Sequence, residues 1–231
     1  MNILVQPPAA IPQRFVVHGV DWQTYEKTLE AFGNQPIRIT YDRGSLELMS
    51  PLTIHEIYKR CLGLLLAVLD RELKIGIKGL ASTTFRRRDL DRGLEPDECF
   101  YVGKLDRVHD WGDVDLSIDP PPDLALEVDV TRSCLNRLEI YAALGVPEVW
   151  RFDGENWHIH CLSANQAYEE QLQSNVLPFV ALAEVAPFLE LTTGGASDGE
   201  LMDQLHQWVK DRVRPRWEAY SAQQSAARTN G

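Results

Sequence analysis

Residues 121–154 read PPDLALEVDVTRSCLNRLEIYAALGVPEVWRFDG, and this stretch decides the fold. Apolar and polar residues alternate over 123–130, which predicts a β-strand. A short helix is predicted over 135–144, because Gly145 follows it as a typical terminating residue. A second strand is predicted over 148–152. A strand, a helix and a second strand in this order indicate one α/β or α+β domain.

The flanking sequence predicts further helices and hairpins around this unit. Each is delimited by a capping residue, a turn or a change of hydrophobic period. In chain order they are a helix over 22–32 capped by Asp21, a hairpin of 37–41 and 45–49, a helix over 53–73, strands over 81–88 and 96–102 joined by a polar turn, a hairpin of 148–152 and 157–162, and a helix over 199–213. The order of these elements leaves both an α/β and an α+β architecture open.

The two ends of the chain differ from its middle. Residues 1–14 are rich in proline and show no hydrophobic period, so we expect a loosely ordered arm. Residues 15–220 are predicted to form a single domain, since this length can bury a substantial core. Residues 221–231 are polar, and we expect a disordered tail.

Composition excludes several classes of protein. The chain is 44% hydrophobic and 25% charged, which is typical of soluble globular proteins. No apolar run approaches the roughly 20 residues that a membrane span needs, and the N-terminus does not match a secretory signal. Four cysteines without a CxxC pair argue against zinc ribbons and disulfide scaffolds, and they favour a cytoplasmic location. The net charge of −11 disfavours non-specific contact with nucleic acid, so a phosphate-binding site needs local basic residues.

Two carboxylates occur where acids are unusual. Asp97 follows Pro96 at the start of a predicted strand, and Glu127 lies in the middle of another. A buried charge needs a partner or a metal. Two converging carboxylates, a backbone carbonyl and waters would suit Mg²⁺. The alternative is that the strand over 123–130 has one solvated face that carries ordinary acids, and the sequence pattern alone leaves both open.

Three segments carry a resemblance to a known family. They are GSLELMSPLTIHE (44–56), STTFRRRDLDRGLEPDECFYV (82–102) and the stretch over 121–154. Together they resemble the Uma-two family of bacterial endonucleases, which belongs to the PD-(D/E)XK, or restriction-endonuclease-like, superfamily. The likeness extends over about residues 15–189. It implies an α/β, restriction-endonuclease-like fold: a mixed sheet flanked by helices, to which the first helix and hairpin are N-terminal additions. It also implies that Asp97 and Glu127 are the motif acids that hold Mg²⁺ (or Mn²⁺) against a DNA phosphate.

The superfamily's lysine is missing from its usual place. That lysine lies two residues after the motif glutamate, where this chain has Asp129. The family resemblance implies that the cation has moved to the next helix, four residues before Tyr141, which is Arg137. An arginine neutralises phosphate but is too basic to act as a neutral base. A surface arginine paired with a nearby acid is the alternative for Arg137.

Four further residues are weaker candidates, each with an ordinary structural alternative. His55, which the family shares, lines the site or is hydrogen-bonded at the start of a helix. Glu47 is an accessory metal ligand or a cross-strand partner of Arg38. Arg86 and Arg88 bind a nucleic-acid backbone or form a solvated strand end.

We therefore predict a Mg²⁺-dependent endonuclease that hydrolyses phosphodiester bonds in DNA, without a membrane association. The alternative is a nuclease-like fold that no longer cleaves and acts as a binding or structural module. The intact pair of Asp97 and Glu127 favours the enzyme, whereas the acidic total and the missing lysine favour the module. A homodimer is suggested by analogy, because two sites cut two strands more easily.

Overall fold

The computed structural model describes residues 13–33, 35–103, 105–129 and 133–229, and it shows a mixed α/β fold. The predicted arm therefore lies mostly outside the described residues. Helices and strands follow in the order β1 (Arg14–His18), α1 (Trp22–Phe32), β2 (Arg38–Asp42), β3 (Ser45–Met49), α2 (Thr53–Leu73), β4 (Ile77–Gly79), β5 (Phe85–Arg87), β6 (Arg92–Leu94), β7 (Glu98–Val102), β8 (Leu124–Val128), α3 (Arg137–Leu144), β9 (Glu148–Phe152), β10 (Trp157–Leu162), β11 (Tyr168–Gln171), α4 (Ala186–Thr193), α5 (Asp198–Trp208) and α6 (Arg214–Thr229). No helix in these ranges is long and apolar enough to span a membrane.

The strands form two sheets. The first has five strands in the order β1-β3-β2-β6-β5, and the second has six in the order β11-β10-β9-β8-β7-β4. All described pairings are antiparallel except that of β8 with β9, which is parallel and is connected by α3. This crossover is the strand–helix–strand unit that the sequence predicts, and it lies in the middle of the second sheet.

Strand β8 is buried on both faces. Leu124, Leu126 and Val128 pack in the core that α2 covers. Ala125 packs on the other side with Ile140 of α3. The alternation of this strand is therefore not an alternation between core and solvent, and the hypothesis of a solvated face is wrong. Acids on that second face lie inside the protein, because α3 and the first sheet cover it.

The chain passes from the first sheet to the second between Leu94 and Glu98. Strand β6 pairs with β2 and β5, whereas β7 pairs with β4 and β8. The predicted strands over 81–88 and 96–102 are thus not joined by a simple turn, because β6 lies between them and belongs with the first. Glu95 helps the transition, since its Oε2 accepts a hydrogen bond from Ile39 N at 3.0 Å where strand pairing has ended.

Several predicted elements are confirmed, and others were missed. The helices over 22–32 and 53–73 have their predicted bounds, and Asp21 caps the first through Thr24 N at 2.8 Å. The hairpin of β9 and β10 is also as predicted. Sequence patterning missed the short or irregular elements β1, β4, β6, β11 and α4. At the C-terminus, helix α6 continues to Thr229, so the described part of the predicted disordered tail is helical.

A close contact in the first sheet gives a stability prediction. A Cβ at Gly93 would lie 2.9 Å from Tyr25 Cζ and closer still to the hydroxyl oxygen. Tyr25 is fully buried, so the ring has little room to move. We expect Gly93→Ala to lower the free energy of unfolding by about 1–3 kcal/mol, as overpacking does. Tyr25→Phe should reduce that loss, and equal urea midpoints for Gly93→Ala and the wild type would contradict this packing argument.

Strand β10 carries a histidine, His158, whose contacts give a prediction about the pH dependence of stability. Hydrogen bonds to Glu170 (2.8 Å) and Asp153 (3.1 Å) raise the pKa of His158 above its usual value. A raised pKa in the folded state stabilises the protein below the unfolded pKa of about 6.5, and this stabilisation is lost as pH rises through the folded pKa. His158→Gln should therefore lower Tm more at pH 5.5 than at pH 8.5. An equal decrease at both values would contradict the assignment.

Candidate active site

A cavity of about 250 Å³ lies where the two sheets face each other beside the start of α3. Because directly paired strand residues share a face, Thr40 of β2 and Glu47 of β3 point to the same side of the first sheet. Glu127 of β8 and Arg151 of β9 are likewise paired in the second sheet. All four residues line the cavity, which is therefore built by opposing faces of both sheets.

Asp97 and Glu127 meet across β7 and β8. Glu98 pairs with Leu126 in this antiparallel ladder, so one further step in the register places Asp97 opposite Glu127. Residues opposite each other have Cβ atoms about 4.5–5.5 Å apart. Both acids are buried and both line the cavity. The structure thus brings together the two carboxylates that the sequence singled out.

The protein fixes each of the two carboxylates through one of its two oxygen atoms. Asp97 Oδ2 accepts a hydrogen bond from Val128 N at 2.7 Å, and Oδ1 lies 3.5 Å from Arg38 Nε. Glu127 Oε1 accepts hydrogen bonds from Arg137 Nη2 at 2.6 Å and from the Tyr141 hydroxyl. Glu127 Oε2 accepts none from the described residues. Each acid therefore has one oxygen fixed by hydrogen bonds and a second that accepts no hydrogen bond from the described residues.

The pKa of Glu127 is raised to about 7, mainly by burial, and the nearby Asp97 carboxylate acts in the same direction. The Arg137 guanidinium acts in the opposite direction and lowers this pKa. Two acids this close are costly to ionise together unless a cation lies beside them. Arg137 supplies one such cation.

Arg137, at the first turn of α3, is bound by protein groups of both sheets. Its Nη1 donates to Thr40 Oγ1 at 2.6 Å, and its Nη2 donates to the Glu95 carbonyl at 2.7 Å as well as to Glu127. The alternative of a surface arginine is therefore wrong, because this guanidinium is inside the fold. It orients Glu127 and ties α3 to the first sheet.

His55 lies at the start of α2 and is 2% exposed. Its Nδ1 accepts a hydrogen bond from Leu52 N at 2.9 Å, so the neutral ring carries its proton on Nε2. Burial lowers the pKa of His55, while Asp97 and Asp129 oppose this shift. The hydrogen bond at the helix start is therefore present, whereas His55 is not among the residues that line the cavity, and its role in the site stays a prediction.

Glu47 is buried, and both of its oxygens have partners in the segment before α3. Ser133 Oγ donates to Oε1 and Cys134 N donates to Oε2, each at 2.8 Å. Glu47 pairs across the strands with Thr40, not with Arg38. The cross-strand partnership with Arg38 is therefore wrong. Glu47 anchors the connection into α3 at the wall of the cavity, and its role as a metal ligand stays a prediction.

Arg86 and Arg88 lie away from this cavity. They border an open groove that also contains Trp22 and several acids, among them Glu26, Glu30, Asp89, Asp113 and Asp115. Arg86 pairs with Gly93, and the Gly93 position faces Tyr25 of α1. Arg86 is therefore on the face of the first sheet that α1 covers, which is opposite to the face that carries Thr40. The structure does not bring these arginines to Asp97 and Glu127.

The Uma2 family, described as "Putative restriction endonuclease", matches residues 22–194. The chain belongs to the Uma2 family. This match confirms the resemblance found in the three sequence segments.

Two other comparisons accompany the family match. A solved structure from Anabaena variabilis ATCC 29413, titled as a putative nuclease belonging to DUF820, is 13% identical with a TM-score of 0.43, and the alignment covers 78% of this chain and 98% of that one. No curated protein matches the sequence.

Sequence analysis of this Uma2-family chain missed two site residues, Arg38 and Arg151. Arg38 Nε faces Asp97, and its Nη2 donates to Glu56 Oε1 at 3.3 Å. Arg151 Nη2 lies 2.9 Å from Asp129 Oδ2. The signal for Arg151 was available in principle, since parallel pairing of two predicted strands places it opposite Glu127. Arg38 could not be found, because its approach to Asp97 depends on how the two sheets pack.

The donor set fits a divalent cation of the Mg²⁺ type. The described residues contain no group of three or more His, Cys, Asp or Glu side chains arranged to hold a metal. Mg²⁺, however, is commonly bound by one or two carboxylates, with waters and substrate phosphates as the other ligands. Asp97 Oδ1 and Glu127 Oε2 match that requirement, because neither oxygen accepts a hydrogen bond from a described residue.

Proposed function

We propose that this chain is a Mg²⁺-dependent (or Mn²⁺-dependent) endonuclease that hydrolyses phosphodiester bonds in DNA. The observation that carries the proposal is the buried pair of Asp97 and Glu127, each with one oxygen fixed by hydrogen bonds and a second that accepts none from the described residues. Membership of an endonuclease family supports hydrolysis of a nucleic acid. The metal and the choice of DNA are the parts that we propose.

Asp97 and Glu127 would hold the ion, which when bound would lower the pKa of an attacking water and neutralise phosphate charge. The Val128 amide keeps Asp97 in one orientation, and Arg137 with the Tyr141 hydroxyl does the same for Glu127. His55 is a hydrogen-bond donor through Nε2, because Leu52 N occupies Nδ1. It therefore does not accept a proton from water while that bond is intact.

The experiment is cleavage of a supercoiled plasmid with Mg²⁺, Mn²⁺ or a chelator, together with thermal unfolding under the same conditions. We expect nicking or linearisation only with a divalent ion. We also expect the ion to raise Tm, since it binds the folded state alone. Metal-independent cleavage would contradict the proposed site.

An inactive binding or structural module is the second candidate. The observation that favours it is the engagement of Arg137 by Thr40, Glu95 and Glu127, because the terminal nitrogens of this guanidinium already donate to protein oxygens. Metal-dependent stabilisation without cleavage of DNA or RNA would support this candidate.

The mass of the protein in solution, measured with and without DNA, would test the proposed homodimer. The four free cysteines fit the cytoplasmic location that we propose.

A further inference from the structure

The cavity is balanced in charge, although the whole chain is strongly acidic. Among the residues that the structure describes, its walls carry four arginines and four carboxylates: Arg14, Arg38, Arg137, Arg151, Glu47, Asp97, Glu127 and Asp129. The chain as a whole has a net charge of −11. The cavity is therefore a place where a polyanion can approach without the repulsion that the average surface exerts.

Two of these arginines, Arg38 and Arg151, have unused donors on both Nε and a terminal nitrogen. Arg38 and Arg151 each bury an Nε–H group that has no hydrogen-bond partner among the described residues. In each, Nη2 faces a carboxylate, Glu56 or Asp129, and Nη1 donates to no described acceptor. Arg137 also has an Nε–H group without a hydrogen-bond partner among the described residues, but it differs in that both of its terminal nitrogens already donate to protein oxygens. A buried donor without a partner costs free energy unless a ligand supplies the acceptor.

The position of the two arginines indicates which ligand that is. Arg38 comes from the first sheet and lies beside Asp97, while Arg151 comes from the second sheet and is paired with Glu127. They therefore flank the two proposed metal-binding acids. A cation on Asp97 would compete with Arg38 for the same carboxylate, and Arg38 would then need another anion. A guanidinium fork matches the oxygens of a phosphodiester.

We propose that Arg38 and Arg151, the arginine pair, bind the DNA backbone phosphate at this cavity. The inference deepens the proposed function and rests on it for the choice of DNA. The sequence suggested that Arg86 and Arg88 bind the DNA backbone. The proposed phosphate-binding residues instead lie at the rim of the site itself. A balanced cavity gains net positive charge when a divalent ion binds, so the pair takes up DNA more tightly with the ion present.

The test is binding of a labelled DNA duplex, measured by fluorescence anisotropy with Ca²⁺ or with chelator over a salt series. Arg38→Gln with Arg151→Gln should weaken binding at least about tenfold in Ca²⁺. The slope of log K against log[salt] should become shallower by about 2. Arg71→Gln with Arg107→Gln is the matched control, since it removes the same charge from exposed positions. Arg71 is about 24 Å along α2 from His55.

A further variant separates phosphate binding from simple neutralisation of Asp129. Asp129→Asn with Arg151→Gln keeps the net charge of the cavity. If Arg151 binds phosphate, this variant should bind DNA as weakly as Arg151→Gln alone. Affinity restored to the wild-type value would overturn the role of Arg151. Equal affinities for the arginine-pair variant and the wild type, or a larger loss in Arg86→Gln with Arg88→Gln, would overturn the proposal as a whole.

A second readout keeps this inference distinguishable from the proposed function. Inorganic phosphate is titrated in the presence of Ca²⁺, and the arginine Nε–H resonances are followed by NMR, with assignments from the single variants. We expect shifts for Arg38 and Arg151. If the protein binds neither DNA nor RNA but these shifts occur, the proposed function fails and the arginine pair remains an anion site. Absence of the shifts would overturn the arginine pair even if DNA were cleaved.

Discussion

Asp97→Asn and Glu127→Gln are each expected to lower DNA cleavage by about 10³-fold or more. Metal coordination is worth several kcal/mol of transition-state stabilisation, and each 1.4 kcal/mol is a factor of about ten. Both replacements keep the size of the side chain but remove the charge that would hold a cation. In Asp97→Asn the side-chain amide oxygen can still accept the hydrogen bond from Val128 N, so we expect the fold to persist.

The measurement is the initial rate of plasmid nicking at saturating Mg²⁺, with thermal unfolding of each variant in the same buffer. Asp203→Asn is the control, because Asp203 is an exposed acid on α5. It should cleave and melt as the wild type does. The double variant of Asp97 and Glu127 should also lose the rise in Tm that the ion produces. A cation-dependent shift that persists in the double variant would show that the ion binds elsewhere.

Arg137→Ala is expected to lower the free energy of unfolding by about 3–5 kcal/mol, as removal of one partner from a buried ion pair does. The pair is buried on both sides, with side-chain exposures of 17% for Arg137 and 11% for Glu127. The variant also leaves Thr40 Oγ1 and the Glu95 carbonyl without their donor. Loss of orientation of Glu127 should reduce cleavage by orders of magnitude as well.

Two companion variants separate the charge of Arg137 from its structural role. Arg137→Lys keeps a cation beside Glu127 and should retain cleavage, while it weakens the contacts to Thr40 and Glu95. Arg137→Met with Glu127→Leu removes both charges, and it should be more stable than Arg137→Ala, because no buried charge is left alone. Urea unfolding measures the stability of both variants, and plasmid nicking measures their cleavage. Equal stability and equal cleavage for Arg137→Ala and the wild type would contradict the assignment.

Local sequence determined the elements that have a strong period and clear caps. Asp21 fixed the start of α1, and 21 residues of one amphipathic pattern fixed α2. The three-residue strands β4 and β6 were missed, because so short a stretch carries no period. Their pairing is decided by the strands that lie beside them in space.

The sequence by itself also determined the acid pair and the family. Asp97 follows a proline at a strand start, and Glu127 lies between apolar neighbours in the middle of a strand. What it left open was whether that side of β8 faces solvent. The answer depends on α3 and the first sheet, which cover β8 only after the chain has folded.

Only the tertiary structure decided which group is the partner of each charged side chain in the site. Arg137 and Glu127 are ten residues apart, but Thr40 and Glu95, the other acceptors of Arg137, come from distant parts of the chain. Arg38 approaches Asp97 from the first sheet, and Glu47 accepts hydrogen bonds from Ser133 and Cys134. A hydrophobic period specifies which face of an element is buried, whereas the partner of a buried charge is set by the packing of two faces against each other.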